Sequence, residues 1–287
     1  MAALSMWDGE VLISVLELGT VDYAGGLRLQ ERLVGLRKEG RIGDVLVLLE
    51  HPPVITLGRN AKGTNILASP ASLVERGVEV FECDRGGDVT FHGPGQLVGY
   101  PIFDLRGLPS ADGKHKTMGA IEYVRRLEEV LIRTCADFSI ATGRICGLTG
   151  VWTAPEEASA IASGPKPAEA KIAAIGVHIS RAVTSHGFAL NVDTDLSYFD
   201  LIVPCGIQTK PVTSMAKELS RKLSIEAVAQ SVSRNFGFVF QAQMLWLESI
   251  DALTGEPTDV PLKVPQELRK LHQEKVGKDK EEDTFWA

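Results

Sequence analysis

The chain has 287 residues, 44% of them hydrophobic and 23% charged, enough apolar material for one large or two small domains and not the composition of a disordered chain. A net charge of −7 excludes the broadly basic field on which nonspecific nucleic-acid binding depends, while leaving room for a local basic patch. Four cysteines without a C-x-x-C pair exclude a zinc ribbon and a thioredoxin motif, and neither a secretory leader nor a membrane-length apolar run is present, so a cytoplasmic protein with free thiols and no membrane partner is expected.

In chain order, Val11 to Leu18 reads as a strand. Asp22 to Lys38 reads as an amphipathic helix, with Leu29, Leu33 and Leu36 on one face and Gly40 beyond its end. Asp44 to Leu49 is a short apolar run that suits a buried strand, with Val54 to Leu57 as its neighbour. Ser69 caps a short helix that opens on Pro70 and closes at Gly77, and Val78 to Cys83 follows as a strand. Leu105 to Lys116 reads as a polar loop. Thr117 to Ala136 reads as a helix with Ile121, Val124, Leu127, Leu131 and Cys135 on one stripe. An insertion rich in Ala, Pro, Ser and Glu spans 153–170. Lys171 to Ser180 and Val183 to Val192 read as strands joined by a short turn, and Tyr198 to Ile202 as a short helix. Ser224 to Phe240 reads as a helix, Gln241 to Ile250 as a further helical stretch, and 275–283 as a charged, solvated tail. This order of elements predicts an α/β (α+β) domain with a mixed sheet flanked by helices.

Three segments carry candidate chemistry. The first, Arg85-Gly86-Gly87-Asp88-Val89-Thr90-Phe91-His92-Gly93-Pro94-Gly95-Gln96, is dense in glycine, which lets a backbone approach a ligand closely. Arg85 offers a planar donor fork, and His92 a proton near neutral pH. The segment is neither a Walker A loop nor a dinucleotide fingerprint, and a pair of turns between two strands explains it equally well. The second is the strand from Lys171, whose small residues Ala173, Ala174 and Gly176 leave room beside it. The third is Pro204-Cys205-Gly206, a thiol in a loop. Cys135 reads as a core residue, Cys83 as a strand end, and Cys146 as a loop thiol with no motif. A nearby cation would lower the Cys205 thiol pKa, and Lys171, His92 and His186 are the candidates. Each also has a plainer explanation as a solvated lysine or a satisfied core histidine.

Taken together, these blocks resemble one family. The 85–96 segment followed by Tyr100-Pro101 is similar to the signature of lipoyl(octanoyl) transferases, also called lipoate-protein ligase B. Lys171-Ile-Ala-Ala-Ile-Gly176, His186-Gly-Phe-Ala-Leu-Asn191 and Pro204-Cys205-Gly206-Ile207 match further blocks, and His51-Pro52-Pro53 with Thr56-Leu57-Gly58 matches an earlier one. The resemblance spans Val11 to Arg221 and implies a fold similar to the lipoate/biotin protein ligase catalytic domain. It implies a catalytic domain over residues 1–240, with the insertion at 153–170, and a C-terminal extension over 241–287. Neither the insertion nor the extension has a counterpart in the typical pattern.

The implied activity moves an octanoyl group from octanoyl-acyl carrier protein to a lysine of lipoyl domains, in the E2 subunits of 2-oxoacid dehydrogenases and in glycine cleavage H protein. Carried over by position, Cys205 forms the acyl thioester and Lys171 tunes it. Arg85, Gly86, Gly87, Asp88, Val89, Thr90, Phe91, His92, Ala174, Ile175, Gly176, Gly187, Phe188 and Ala189 cradle the acyl chain. No cofactor and no metal are expected. Because both implied partners are acidic, a local basic rim is expected among Arg59, Lys62, Lys210, Lys217, Arg221 and Lys222. The nearest rival is an ATP-dependent lipoate or biotin ligase on the same fold. More distant ones are an idle acyl-binding scaffold and a cysteine protease using His186 and Asn191.

Overall fold

The computed structural model describes residues 11–110, 117–153, 169–206 and 210–254. All but the ends of the 153–170 insertion, and the charged tail, lie outside them.

The chain opens with β1 (Val11–Thr20), α1 (Tyr23–Lys38) and β2 (Asp44–Glu50). Asp22 caps α1 by accepting from the Gly25 N–H at 2.7 Å. β2 is buried on both faces, and this explains its unbroken apolar run. Val45, Val47 and Leu49 pack under α1 with Leu29, Leu33 and Leu36. Leu46 and Leu48 face the opposite core.

β3 (Val54–Leu57), α2 (Pro70–Glu75), β4 (Glu79–Glu82) and β5 (Val89–His92) come next. β3 pairs with β4 in parallel and with β5 antiparallel, giving a separate three-stranded sheet. β6 (Gln96–Ile102) then joins the main sheet beside β2. α3 (Ala120–Asp137) leads into the hairpin β7 (Thr142–Ile145) and β8 (Leu148–Thr153), which the sequence pattern had not disclosed. β9 (Lys171–Ser180) and β10 (Val183–Asn191) form the expected hairpin. Short helical turns cover Leu196–Leu201 and Pro204–Gly206, followed by α4 (Met215–Leu219), α5 (Ile225–Phe240), β11 (Ala242–Trp246) and α6 (Asp251–Thr254).

The main sheet has eight strands in the order β11-β1-β2-β6-β10-β9-β8-β7. Its β11–β1 and β1–β2 pairs are parallel and the others antiparallel, so the mixed sheet expected from the sequence is present. α1 covers one face. α3 and α5 cover the other through Tyr123, Leu127, Leu131, Phe236 and Phe240. Cys135 lies in this second core, and burial pushes its thiol up to about 12, so it is the packing residue its helical stripe predicted.

Several expectations fail. β3 is not the neighbour of β2, which lies between β1 and β6, and Ile121, expected on the α3 stripe, is 80% exposed. Residues 242–246 form a strand and not part of a helix. The open edge of β1 offers β11 a parallel partner, with Val11 opposite Ala242 and Val15 opposite Trp246. The chain beyond residue 240 therefore contributes to the main sheet.

Candidate active site

The paired strands β9 and β10 bring two glycines face to face, Gly176 opposite Gly187, followed on one side by the Ile175–Phe188 and Ala174–Ala189 pairs. The missing side chains let the glycine-rich loop descend onto the sheet. Gly86 N–H donates to the Val177 carbonyl at 3.0 Å, and a Cβ on Gly176 would lie 2.6 Å from the Gly86 carbonyl oxygen. Between loop and strands runs a narrow cavity of about 50 Å³.

Its lining includes Arg85, Gly86, Gly87, Asp88, Thr90 and His92 from the loop and β5, and Ala174, Ile175, Gly176, Gly187, Phe188 and Ala189 from the hairpin. Two predicted lining residues are misplaced. Val89 and Phe91 point to the other side of β5, into the core of the small sheet with Ile55, Leu73 and Phe199. Successive side chains on a strand alternate faces, so the 85–92 block was too inclusive.

Arg85 serves the loop more than a ligand. Its guanidinium donates to the Thr56 carbonyl and the Asp88 carbonyl, each at 2.7 Å, to Thr56 Oγ1 at 2.9 Å and to the Gly86 carbonyl at 3.0 Å. These bonds bolt the loop to β3. Asp84, which the sequence pattern had not singled out, adds a second fastening. Its carboxylate accepts from His186 Nε2 at 2.7 Å and pairs with His178. Burial alone would raise the Asp84 pKa, but the hydrogen bonds and charges of His186 and His178 outweigh it and hold the carboxyl below its usual value.

His92 does not behave as the expected near-neutral acid or base. Burial drives its pKa down to about 3, with the nearby His51 and Arg85 acting in the same direction. Gln96 donates through Nε2 to Asn191 Oδ1 at 2.8 Å and to the Phe91 carbonyl at 3.1 Å. Its Oε1 is thus left to accept from His92 Nδ1 at 2.7 Å, and this assigns the neutral tautomer. Asn191 continues the chain by donating to the Thr213 carbonyl at 3.0 Å. Deeper in, the Tyr100 hydroxyl donates to His51 Nε2 and His51 Nδ1–H to the Val21 carbonyl, both at 2.6 Å. Burial lowers the His51 pKa to about 4 and raises that of Tyr100, so both stay neutral.

Lys171 heads β9 and is 7% exposed, not the solvated lysine of the plainer reading. Its ammonium lies 4.7 Å from the centroid of the Trp152 ring on β8, a cation–π contact. Its N–H donates to the Pro211 carbonyl at 2.8 Å, and its carbonyl accepts from the Thr213 N–H at 2.9 Å. These bonds fasten the segment that follows Cys205 to the head of β9.

The Pro204–Gly206 turn, which contains Cys205, is held from the other side by the loop. Val203 N–H donates to the Asn65 carbonyl at 2.8 Å, and Asn65 Nδ2 donates to Asp88 Oδ2 at 2.6 Å. A Cβ on Gly206 would sit 2.9 Å from that same Asp88 oxygen. The fold thus gathers all three sequence blocks: the turn lies between the cavity-lining Asp88 and the segment pinned to Lys171. Such a cavity, closed by backbone and small side chains, can enclose an alkyl chain. Trp152, Asn65 and Asp84 were not legible in the sequence, because each acts through a contact made by a distant strand or loop.

This fold and site define a class. The family model described as lipoyl protein ligase A/B catalytic domain matches residues 22–237. Among solved structures, a bipartite lipoate protein ligase from Thermoplasma acidophilum superposes with a TM-score of 0.56 at 14% identity, covering 83% of this chain and 87% of that one. A lipoate-protein ligase A bound with ATP gives the same TM-score and identity over 84% and 88%. At such identities the likeness concerns the fold. Sequence relatives are much nearer. The octanoyltransferase of Koribacter versatilis is 61% identical over 92% of this chain and 98% of that protein. The octanoyltransferase of Acidobacterium capsulatum is 57% identical over 86% and 97%. The chain belongs to the octanoyltransferase family within the lipoyl protein ligase A/B class. Among the described residues no helix is long and apolar enough to cross a membrane.

Proposed function

We propose that this chain is a cytoplasmic acyltransferase that moves an octanoyl group from octanoyl-acyl carrier protein to a lysine of a lipoyl domain, through a thioester on Cys205. The acceptors are the lipoyl domains of 2-oxoacid dehydrogenase E2 subunits and glycine cleavage H protein. The observation that supports this reading is a turn containing Cys205 that abuts Asp88 of the narrow cavity through Gly206, followed by a segment hydrogen-bonded to the backbone of the buried Lys171, in a chain 61% identical to an octanoyltransferase.

The donor is already a thioester, so the reaction requires no ATP. Cys205 Sγ attacks the octanoyl carbonyl. A carbon–Sγ bond forms, the bond to the carrier sulfur breaks, and the proton of the Cys205 thiol ends on the departing carrier thiol. The acceptor amine then attacks the acyl-enzyme. A carbon–nitrogen bond forms, the carbon–Sγ bond breaks, and one amine proton returns to Sγ. Exchange of thioester for thioester is nearly neutral, whereas amide formation is downhill and drives the sequence. The Lys171 ammonium supports the Cys205 thiolate, and Lys171 relays the proton in the second half. Among the cavity residues, the bolted loop and the glycine pair hold the alkyl chain.

Incubation with octanoyl-acyl carrier protein, without ATP or magnesium, should add one octanoyl mass to the intact protein. The adduct should be labile to hydroxylamine. The same adduct on Cys205→Ser would remove Cys205 as the nucleophile, and a strict requirement for ATP and magnesium would favour a ligase.

A further inference from the structure

The Pro204–Gly206 turn stands between two cavities, and an acyl chain accounts for only one of them. On one side, Gly206 abuts Asp88 of the narrow cavity. On the other, Val203 and Pro204 line an open groove of about 640 Å³. The groove is half apolar, with Phe199 and Val212 in its wall, and it carries two lysines, Lys210 and Lys217, against one carboxylate, Asp200. In a chain of net charge −7 this lining is locally rich in cations, although Glu169 beside it pairs with Lys210.

A carrier-bound acyl donor has two unlike arms that meet at the thioester. One is a bare alkyl chain. The other is a long, amide-bearing thiol arm that ends in a phosphodiester. When a thiol on the turn attacks the carbonyl between them, one arm extends to each side. The narrow cavity suits the alkyl chain. A wide, half-polar groove with cations suits the leaving arm.

The geometry points to this groove as the binding site for the phosphopantetheine-type arm of the acyl donor, with Lys217 and Lys210 meeting its phosphate. The inference rests on the Cys205 thioester reading. Lys217 is exposed on α4. Lys210 is partly engaged: it pairs with Glu169, and its Nζ lies 5.9 Å from the centroid of the Trp152 ring that Lys171 also faces. Glu169 screens Lys210, so Lys217 carries the larger share of the phosphate contact. The shared Trp152 ring links the groove to the lysine of the proposed chemistry.

The test compares acyl-enzyme formation, followed by intact mass, from octanoyl-pantetheine and octanoyl-4′-phosphopantetheine at low ionic strength. Wild-type protein should show kcat/KM about tenfold higher for the phosphorylated donor, the effect of one charge-assisted contact. Lys217→Glu and Lys210→Gln should each move that ratio toward one, Lys217→Glu further. Arg133→Gln, on α3 and outside the groove, should preserve it. Equal kcat/KM for the two donors in wild type, or a ratio unmoved by both lysine variants, overturns the assignment. An unmoved ratio with slower transfer from preformed acyl-enzyme to a lipoyl domain assigns the groove to the acceptor instead. Absence of an adduct from either donor overturns the thioester reading and the groove assignment with it, whereas loss of phosphate discrimination alone overturns only the groove.

Discussion

Lys171 illustrates how much of a residue's surroundings its local sequence leaves out. On sequence alone it is a lysine at the head of an apolar strand. In the fold it is buried, its ammonium faces Trp152, and its backbone anchors the segment after Cys205. Lys171→Ala should slow octanoyl transfer by about 10²–10⁴-fold, the range for a lost acid–base group, while the circular dichroism spectrum stays native. Unchanged single-turnover rates would remove Lys171 from the mechanism. Gly176 shows the opposite case, a residue that matters for what it lacks. A methyl group there would meet the Gly86 carbonyl at 2.6 Å, so Gly176→Ala must push the loop outward. Overpacking of this kind costs about 1–3 kcal/mol. Urea denaturation should show that loss, and acylation by octanoyl donors should fall with it. Wild-type stability and rate in the variant would mean that the loop does not rest on the strand.

At the scale of elements, most of the chain was readable because the apolar patterns of most segments match the faces they bury, Ile121 at the exposed start of α3 being an exception. β2 is continuous because both its faces are covered, and α1 and α3 carry single stripes because each covers one face. β11 was not readable in this way. Its five residues alternate half-buried and exposed, with Gln243 and Leu245 outward, and so short a stretch does not separate strand from helix. What decides it is the free edge of β1, a long-range pairing. Met244 and Trp246 also pack against the α3–α5 core. Ending the chain after Phe240 should therefore expose the β1 edge. The truncated protein should unfold at lower urea and aggregate at concentrations where the full chain stays monodisperse by light scattering. An unaltered urea midpoint would show that β11 is dispensable.

Across the whole molecule, the polar groups buried behind the cavity tie stability to pH. His92 and His51 are held neutral, with pKa values near 3 and 4 against the ordinary 6.5. Unfolding frees both to take a proton, so between these limits the unfolded state binds more protons than the folded one. The stability they permit is fully present above about pH 6.5 and declines as pH falls toward 4 and then 3. Urea midpoints measured from pH 7 to pH 4 should fall steadily, and His92→Asn should flatten the slope. A midpoint independent of pH over this window would mean that these rings are not buried neutral.

By itself the sequence determined the mixed α/β architecture, the helices with single apolar stripes, the core placement of Cys135 and the three blocks that converge at the site. These follow from local periodicity, from cap and turn chemistry and from motif resemblance. Only the tertiary structure decided which residues of the 85–92 block face the cavity, because alternation along β5 turns Val89 and Phe91 away. It also decided that His92 is a neutral hydrogen-bonding residue, since its pKa depends on burial by distant strands. The place of Trp152 under Lys171, the fastening of the loop by Asp84, and the wide groove beside the Cys205 turn arise from contacts between segments far apart in the chain. No local pattern encodes such contacts; they exist only once the sheet has set the register of its strands.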